Sequence, residues 1–220
     1  MSTKTKKIII PIITSIIIVL LGYLFISYKQ PKTKISKKQD GTTVITNYNK
    51  NNKKITEATY REDESISWIT YYDPETENTI KTHTYATNGT ITQDTEFNPK
   101  TEKLTKHTFY YDNGHIKNST EYNNITGKKM IYNAYFYNGT LNIHEQWNHK
   151  TGNPIKSITF HHNGSSAELN EYDDNGDDIL TLHYNENNQL ESKNEYNPQT
   201  KQRTKTIYNP DGSIKEIINR

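Results

Sequence analysis

The stretch that decides the fold is YATNGTITQDTEFNPKT, residues 85–101. It carries two aromatic residues, Tyr85 and Phe97, each followed by a different turn signal: Asn88-Gly89 after the first, Asn98-Pro99-Lys100-Thr101 after the second. Asn-Gly tolerates the positive φ that a tight hairpin needs, and Asn-Pro presets φ for the first corner of a wider turn. Ile91 to Phe97, between the turns, has the length and the Ile, Thr and Phe content of a strand.

Outward from this stretch the pattern repeats. Asn-Gly recurs at Asn113-Gly114, Asn138-Gly139 and Asn163-Gly164, each 25 residues after the last. Aromatic anchors run from Tyr48 through Tyr60, Tyr72, Tyr85, Phe97, Tyr110, Tyr122, Tyr135, Trp147, Phe160, Tyr172, Tyr184 and Tyr196 to Tyr208, spaced by 12 or 13. Short turns of the form aromatic-x-x-Asn/Asp-Gly alternate with long turns of the form aromatic-Asn/Asp-Pro-x-Thr, as at Tyr72-Asp73-Pro74-Glu75-Thr76 and Tyr196-Asn197-Pro198-Gln199-Thr200. Strands joined by such short turns are antiparallel neighbours. The expected fold is therefore all-β: an antiparallel meander of tandem hairpin repeats of about 25 residues over 41–220. Fourteen strands at about 4.8 Å would make an open sheet about 65 Å long. A sheet of that width can instead curl or close.

Parity counting gives an expectation for the faces. Ile66, Trp68 and Tyr72 share a face, as do Ile91 with Phe97, Ile116 with Tyr122, and Leu141 with Trp147, so one face should carry the apolar ladder. After long turns, Ile55 and Tyr60, Ile80 and Tyr85, and Ile155 and Phe160 fall on opposite faces unless a bulge intervenes.

Composition limits the function. Only 31% of the 220 residues are hydrophobic, mean hydropathy is −0.98, and much of the apolar content lies in the first 26 residues, so a thick core cannot form. Eight of the 27 Lys and Arg lie within residues 1–38, leaving 19 basic against 25 acidic residues from Gln39 on. An acidic repeat region argues against nucleic acid as a partner. Cysteine is absent, which excludes disulfides, thiolate metal sites and a lipidated Cys anchor.

Ile8 to Ile26 is apolar and uncharged, follows Lys4, Lys6 and Lys7, and ends near Tyr28 and Lys29. About 20 residues of helix span a bilayer core, so residues 1–28 read as a basic flank and one N-terminal transmembrane helix. The run exceeds the apolar core of a usual signal peptide, and no small-x-small site follows it before Lys29. Residues 29–40, rich in Lys and containing Pro31, read as a linker. A literal positive-inside count would keep the repeats in the cytoplasm. A short basic start before an apolar run is how an exported chain begins, and export to the cell surface is the reading taken.

The alternation of Y-D/N-P-x-T with Y-x-x-D/N-G-T/S-I resembles the repeat domain of unknown function found in phytoplasma proteins, itself similar to MORN-variant repeats and more distantly to YD repeats. The resemblance covers residues 40–220. Glu77, Glu102 and Lys201 stand where glycine is expected after the long-turn threonine, and Gly127 and Gly152 keep it. The resemblance implies export or membrane attachment by a cell without a wall, and brings no catalytic residue.

Candidate chemistry is sparse. Asp173, Asp174, Asn175, Asp177 and Asp178 surround Gly176 like the start of a calcium loop, but Gly176 falls where the repeat already requires a turn, and Tyr184 occupies the position of the bidentate Glu. Eight histidines show no HExxH spacing. No nucleotide-binding or nucleophile motif occurs, so no enzyme, cofactor or metal is expected. What remains is surface: Trp68, Tyr72, Tyr85, Phe97, Tyr110, Tyr122, Tyr135, Trp147, Phe160, Tyr172 and Tyr196 are the candidate interaction aromatics. The leading expectation is a scaffold for binding another protein. The alternative is carbohydrate or quaternary-amine binding by aromatic rows, and the plainest role for any one ring is pairing across strands.

Overall fold

The computed structural model describes residues 31–220. The transmembrane helix expected over residues 8–26 lies outside the described residues. Among the described residues, no helix is long and apolar enough to cross a membrane.

Sixteen strands form one sheet. In chain order they are β1 (Lys32–Lys37), β2 (Thr43–Tyr48), β3 (Lys54–Tyr60), β4 (Ile66–Tyr72), β5 (Thr79–Tyr85), β6 (Ile91–Phe97), β7 (Leu104–Tyr110) and β8 (Ile116–Tyr122). They continue as β9 (Lys129–Tyr135), β10 (Leu141–Trp147), β11 (Pro154–Phe160), β12 (Ser166–Tyr172), β13 (Asp178–Tyr184), β14 (Leu190–Asn197), β15 (Gln202–Tyr208) and β16 (Ile214–Asn219). Spatial order equals sequence order, every pairing is antiparallel, and β1 and β16 are open edges. The sheet is open, not a barrel.

β1 corrects the sequence reading. Lys32–Lys37 lies within the stretch read as a linker, yet pairs with β2 from Lys32↔Tyr48 to Lys37↔Thr43. Its lysine-rich composition hides the strand, because on a fully exposed edge neither face needs apolar residues; Lys32, Lys34 and Lys37 blunt that edge against further pairing.

Short turns take their shape from glycine. At residues 86–90 the Gly89 N–H donates to the Ala86 carbonyl at 3.0 Å, Ala86 N–H to Thr90 at 2.9 Å, and only Gly89, at φ 83°, is left-handed. Asn88 keeps a negative φ, and its side-chain oxygen accepts the Thr90 N–H at 3.0 Å. The pair thus forms a turn ending in a glycine bulge, and not a mirror-image turn with both residues at positive φ. In long turns the Asx residue gathers donors: Asp73 Oδ1 accepts from Glu75 N–H, Thr76 N–H and the Thr76 hydroxyl. The Thr76 backbone bond holds the Asp73 carboxyl below its ordinary range. Glu77, Glu102 and Lys201 keep the left-handed conformation of Gly127 and Gly152, at φ 57–61°.

The faces differ from the parity expectation. In every pairing except β1·β2 and β14·β15, the register shifts by one residue near the turn. Tyr60 faces Ile66 while Thr59 faces Trp68, leaving Ser67 as the extra residue; Tyr72 faces Thr79 while Tyr71 faces Lys81, leaving Ile80. Parity counting assumes an unbroken pleat, and each bulge reverses it. Ile66 therefore lies on the face opposite Trp68 and Tyr72, and Ile91 opposite Phe97. No single apolar face exists.

Among the described residues no second layer covers either face, and strand backbones lie close only to their sequence neighbours. Among the described residues Ala58 is the one buried hydrophobic side chain, while the buried polar set includes Thr46, Thr59, Thr108 and Ser119. Cohesion comes from ladder hydrogen bonds and cross-strand pairs, each pair contributing roughly 0.2–1 kcal/mol.

Candidate functional site

The bulges sort the aromatic anchors into two rows on opposite faces, one along each edge. Anchors that precede short turns, including Tyr85, Tyr110, Tyr135 and Phe160, line the front face; they alternate with Ile91, Ile116, Leu141 and Ser166 from the strands that follow. Anchors that precede long turns, including Tyr72, Phe97, Tyr122, Trp147, Tyr172 and Tyr196, line the back face; they alternate with Thr79, Leu104, Lys129, Pro154, Asp178 and Arg203. Trp68, on the back face away from that row, is 41% exposed.

Side-chain contacts confirm the sorting. On the front face, the imidazole of His83 donates to Asp94, the Tyr110 hydroxyl donates to Asp94 at 3.0 Å, and Lys81 approaches Asp94 at 3.6 Å. Tyr71 packs edge-on against His83 at 5.3 Å between ring centres. Burial first, then the Asp94 hydrogen bond, push the Tyr110 phenol up to about 12. His144 repeats the arrangement with a neutral partner, donating to Asn133 at 2.7 Å.

On the back face the rings hold the chain's own cations. Lys54 lies 4.6 Å from the centre of Tyr72 and pairs with Glu57 at 3.2 Å. Lys129 lies 3.7 Å from Trp147 and pairs with Glu145 at 3.3 Å. Arg203 lies 5.2 Å from Tyr196 and pairs with Asp178 at 3.1 Å. His107, stacked on Phe109 at 4.3 Å, has its pKa lowered by burial, and its Nε2 is buried without a hydrogen-bond partner.

Along each edge the turns are tied to one another. The Thr101 hydroxyl donates to the Asn124 carbonyl at 3.1 Å, and Thr126 to His149 at 3.0 Å. On the other edge Tyr111 donates to the Tyr135 carbonyl at 2.8 Å and Asn163 to Glu186 at 2.8 Å. These bonds give the recurrent Asn and Thr a second task beyond shaping their own turn. The calcium-like cluster shapes its own turn: Asp173 accepts the Asn175 and Asp177 N–H groups, both at 2.9 Å. His161 and His162 do not work together, since one bonds to the Tyr184 carbonyl and the other stacks on Phe136.

The sequence reading named the anchor rings but missed Asp94, His83 and the Lys129–Trp147 contact, because cross-strand register decides who meets whom. The heptapeptides alone carry no such signal.

The family described as "Protein of unknown function (DUF2963)" matches this chain three times, at residues 37–84, 85–134 and 135–184. No curated protein matches. Similar solved structures include TarM, at 19% identity over 55% of this chain and 23% of that one, with a TM-score of 0.35. The chain thus spans less than a quarter of TarM. A porin-like protein from Bacteroides uniformis is 8% identical over 88% of this chain and 95% of that one, TM-score 0.25. The TcdB2-TccC3-TEV structure is 14% identical over 85% and 13%, TM-score 0.25. At these TM-scores the likeness is too slight to bear on function.

Proposed function

Since the chain belongs to the DUF2963 family, which carries no assigned activity, we propose its function from the surface: a non-enzymatic scaffold that binds another protein. The observation that supports this is the front-face row in which Tyr85, Ile91, Tyr110, Ile116, Tyr135 and Leu141 follow one another across six strands with no second layer over them among the described residues. Aromatic and aliphatic side chains on a flat, rigid sheet are the composition of an interface centre. Charged pairs such as Lys106–Glu121, at 3.0 Å, border the row and supply a polar rim.

The same proposal places the scaffold at a membrane. Ile8 to Ile26 anchors the chain and the repeats lie outside the cell, a reading supported by the length of the apolar run and its basic flank. Alternation of the two turn types supports kinship with MORN-variant repeats. Two experiments test the proposal. Protease added to intact cells should remove the repeats; survival of residues beyond Gln39 while a known surface protein is cut would refute the topology. Affinity capture with the full chain should recover one protein that the double variant Ile91→Glu, Ile116→Glu no longer holds. Equal capture by both would refute the front face as the binding surface.

A further inference from the structure

The back-face row departs from its own pattern at one strand, β5. Rings two strands apart stand about 9.6 Å from each other at ordinary strand spacing. One residue from the intervening strand fills the gap: Lys54 between Tyr48 and Tyr72, Leu104 between Phe97 and Tyr122, Lys129 between Tyr122 and Trp147. An ammonium midway is about 4.8 Å from both rings, inside the range of about 6 Å for cation–π attraction. Lys54 and Lys129 each reach one ring of the row, at 4.6 Å from Tyr72 and 3.7 Å from Trp147, each with a carboxylate beside it.

Between Tyr72 and Phe97 the filling residue is Thr79, too short to occupy the gap. A cavity of about 400 Å³ opens there, lined by Thr70, Tyr72, Thr79, Thr82, Phe97 and Glu102. Glu102 brings a carboxylate that makes no ion pair among the described residues, whereas Glu77, its counterpart one repeat earlier, is held by Lys53. Two rings, three threonines and a carboxylate that makes no ion pair among the described residues thus line one cavity.

We propose that the Thr79 gap binds an organic ammonium ion, with the charge between Tyr72 and Phe97 and near Glu102. Alkyl substituents on nitrogen favour the site, since the flanking rings reward a weakly hydrated cation and the cavity exceeds what a lysine tip fills. The inference is independent of the protein-binding proposal, which concerns the opposite face.

The test is calorimetric titration of the full chain with tetramethylammonium, choline and glycerophosphocholine, with tert-butanol as the neutral isostere. Millimolar binding of the cations and none of tert-butanol is expected; preference for choline or for glycerophosphocholine identifies a free ion or a lipid headgroup as the source. Thr79→Lys puts the chain's own ammonium in the gap, as at Lys54 and Lys129, and should weaken binding at least about tenfold. Phe97→Leu and Glu102→Gln should each weaken it severalfold, with far-ultraviolet circular dichroism showing the sheet retained. Equal binding by tert-butanol, or unchanged cation binding in both folded Thr79→Lys and folded Phe97→Leu chains, would overturn the proposal.

Discussion

Tyr110 on β7 gives its phenolic hydrogen to Asp94 on β6, 3.0 Å away. Burial and that carboxylate raise the phenol to about 12. The folded pKa lies above the unfolded value of about 10, so the contribution of the neutral phenol is complete below pH ~10 and is lost as pH rises toward 12. Absorbance titration at about 295 nm, a wavelength where phenolate absorbs, should show a late-titrating tyrosine. Asp94→Asn should bring it down only partway, because burial is the larger cause; a full return to the ordinary value would contradict this account.

Left-handed residues other than glycine carry strain. Lys201 sits at φ 57° in the turn before β15, where Gly152 occupies the matching place at φ 85° before β11. A side chain there costs roughly 1–2 kcal/mol against glycine, offset in part by the greater freedom of glycine in the unfolded chain. Lys201→Gly should therefore stabilise by up to about 1 kcal/mol, and Gly152→Ala should destabilise by about 1 kcal/mol or more. Urea unfolding midpoints moving in the same direction for both variants would contradict the turn assignment.

Lys129 over Trp147 is a coupling that can be measured. The ammonium is 3.7 Å from the ring centre and two-thirds shielded, at 32% side-chain exposure. A double-mutant cycle of Lys129→Met and Trp147→Leu should give an interaction of about 0.5–1 kcal/mol, the range for partly exposed cation–π pairs. Additive single effects would show that the contact is geometric only.

The hydroxyl of Thr126 joins neighbouring long turns through the His149 carbonyl. Thr126→Val keeps the shape and removes the donor, at a cost of about 1 kcal/mol. Hydrogen exchange should quicken near residues 123–128 and 148–153, with β2 and β15 unaffected, because the strands contact only their neighbours. Uniform acceleration along the whole sheet would argue against nearest-neighbour stability.

Much of this was legible in advance. Each anchor from Tyr48 to Tyr208 ends its strand, or in β14 stands next to last, because aromatic spacing and turn residues report directly on hairpin length. Faces were not legible. Whether Ile66 joins Trp68 depends on the bulge at Ser67, a property of the β3·β4 pair that neither strand displays. A trace of it survives in the spacing: Phe97 to Tyr110 takes 13 residues across a long turn with a bulge, Tyr196 to Tyr208 takes 12 across a long turn without one. β1 escaped notice because an exposed edge strand of lysines has nothing apolar to declare it. The His83–Asp94 and Lys129–Trp147 meetings required the register itself.

The strict neighbour-to-neighbour contacts also fix when each part can assemble. A hairpin leaving the ribosome, or threading extended through a narrow channel, meets its template in the strand just ahead of it and becomes the template for the strand behind. The ribbon can therefore accrete vectorially, two strands at a time, each arriving hairpin completing the repeat just ahead of it through bonds such as Thr126 to His149.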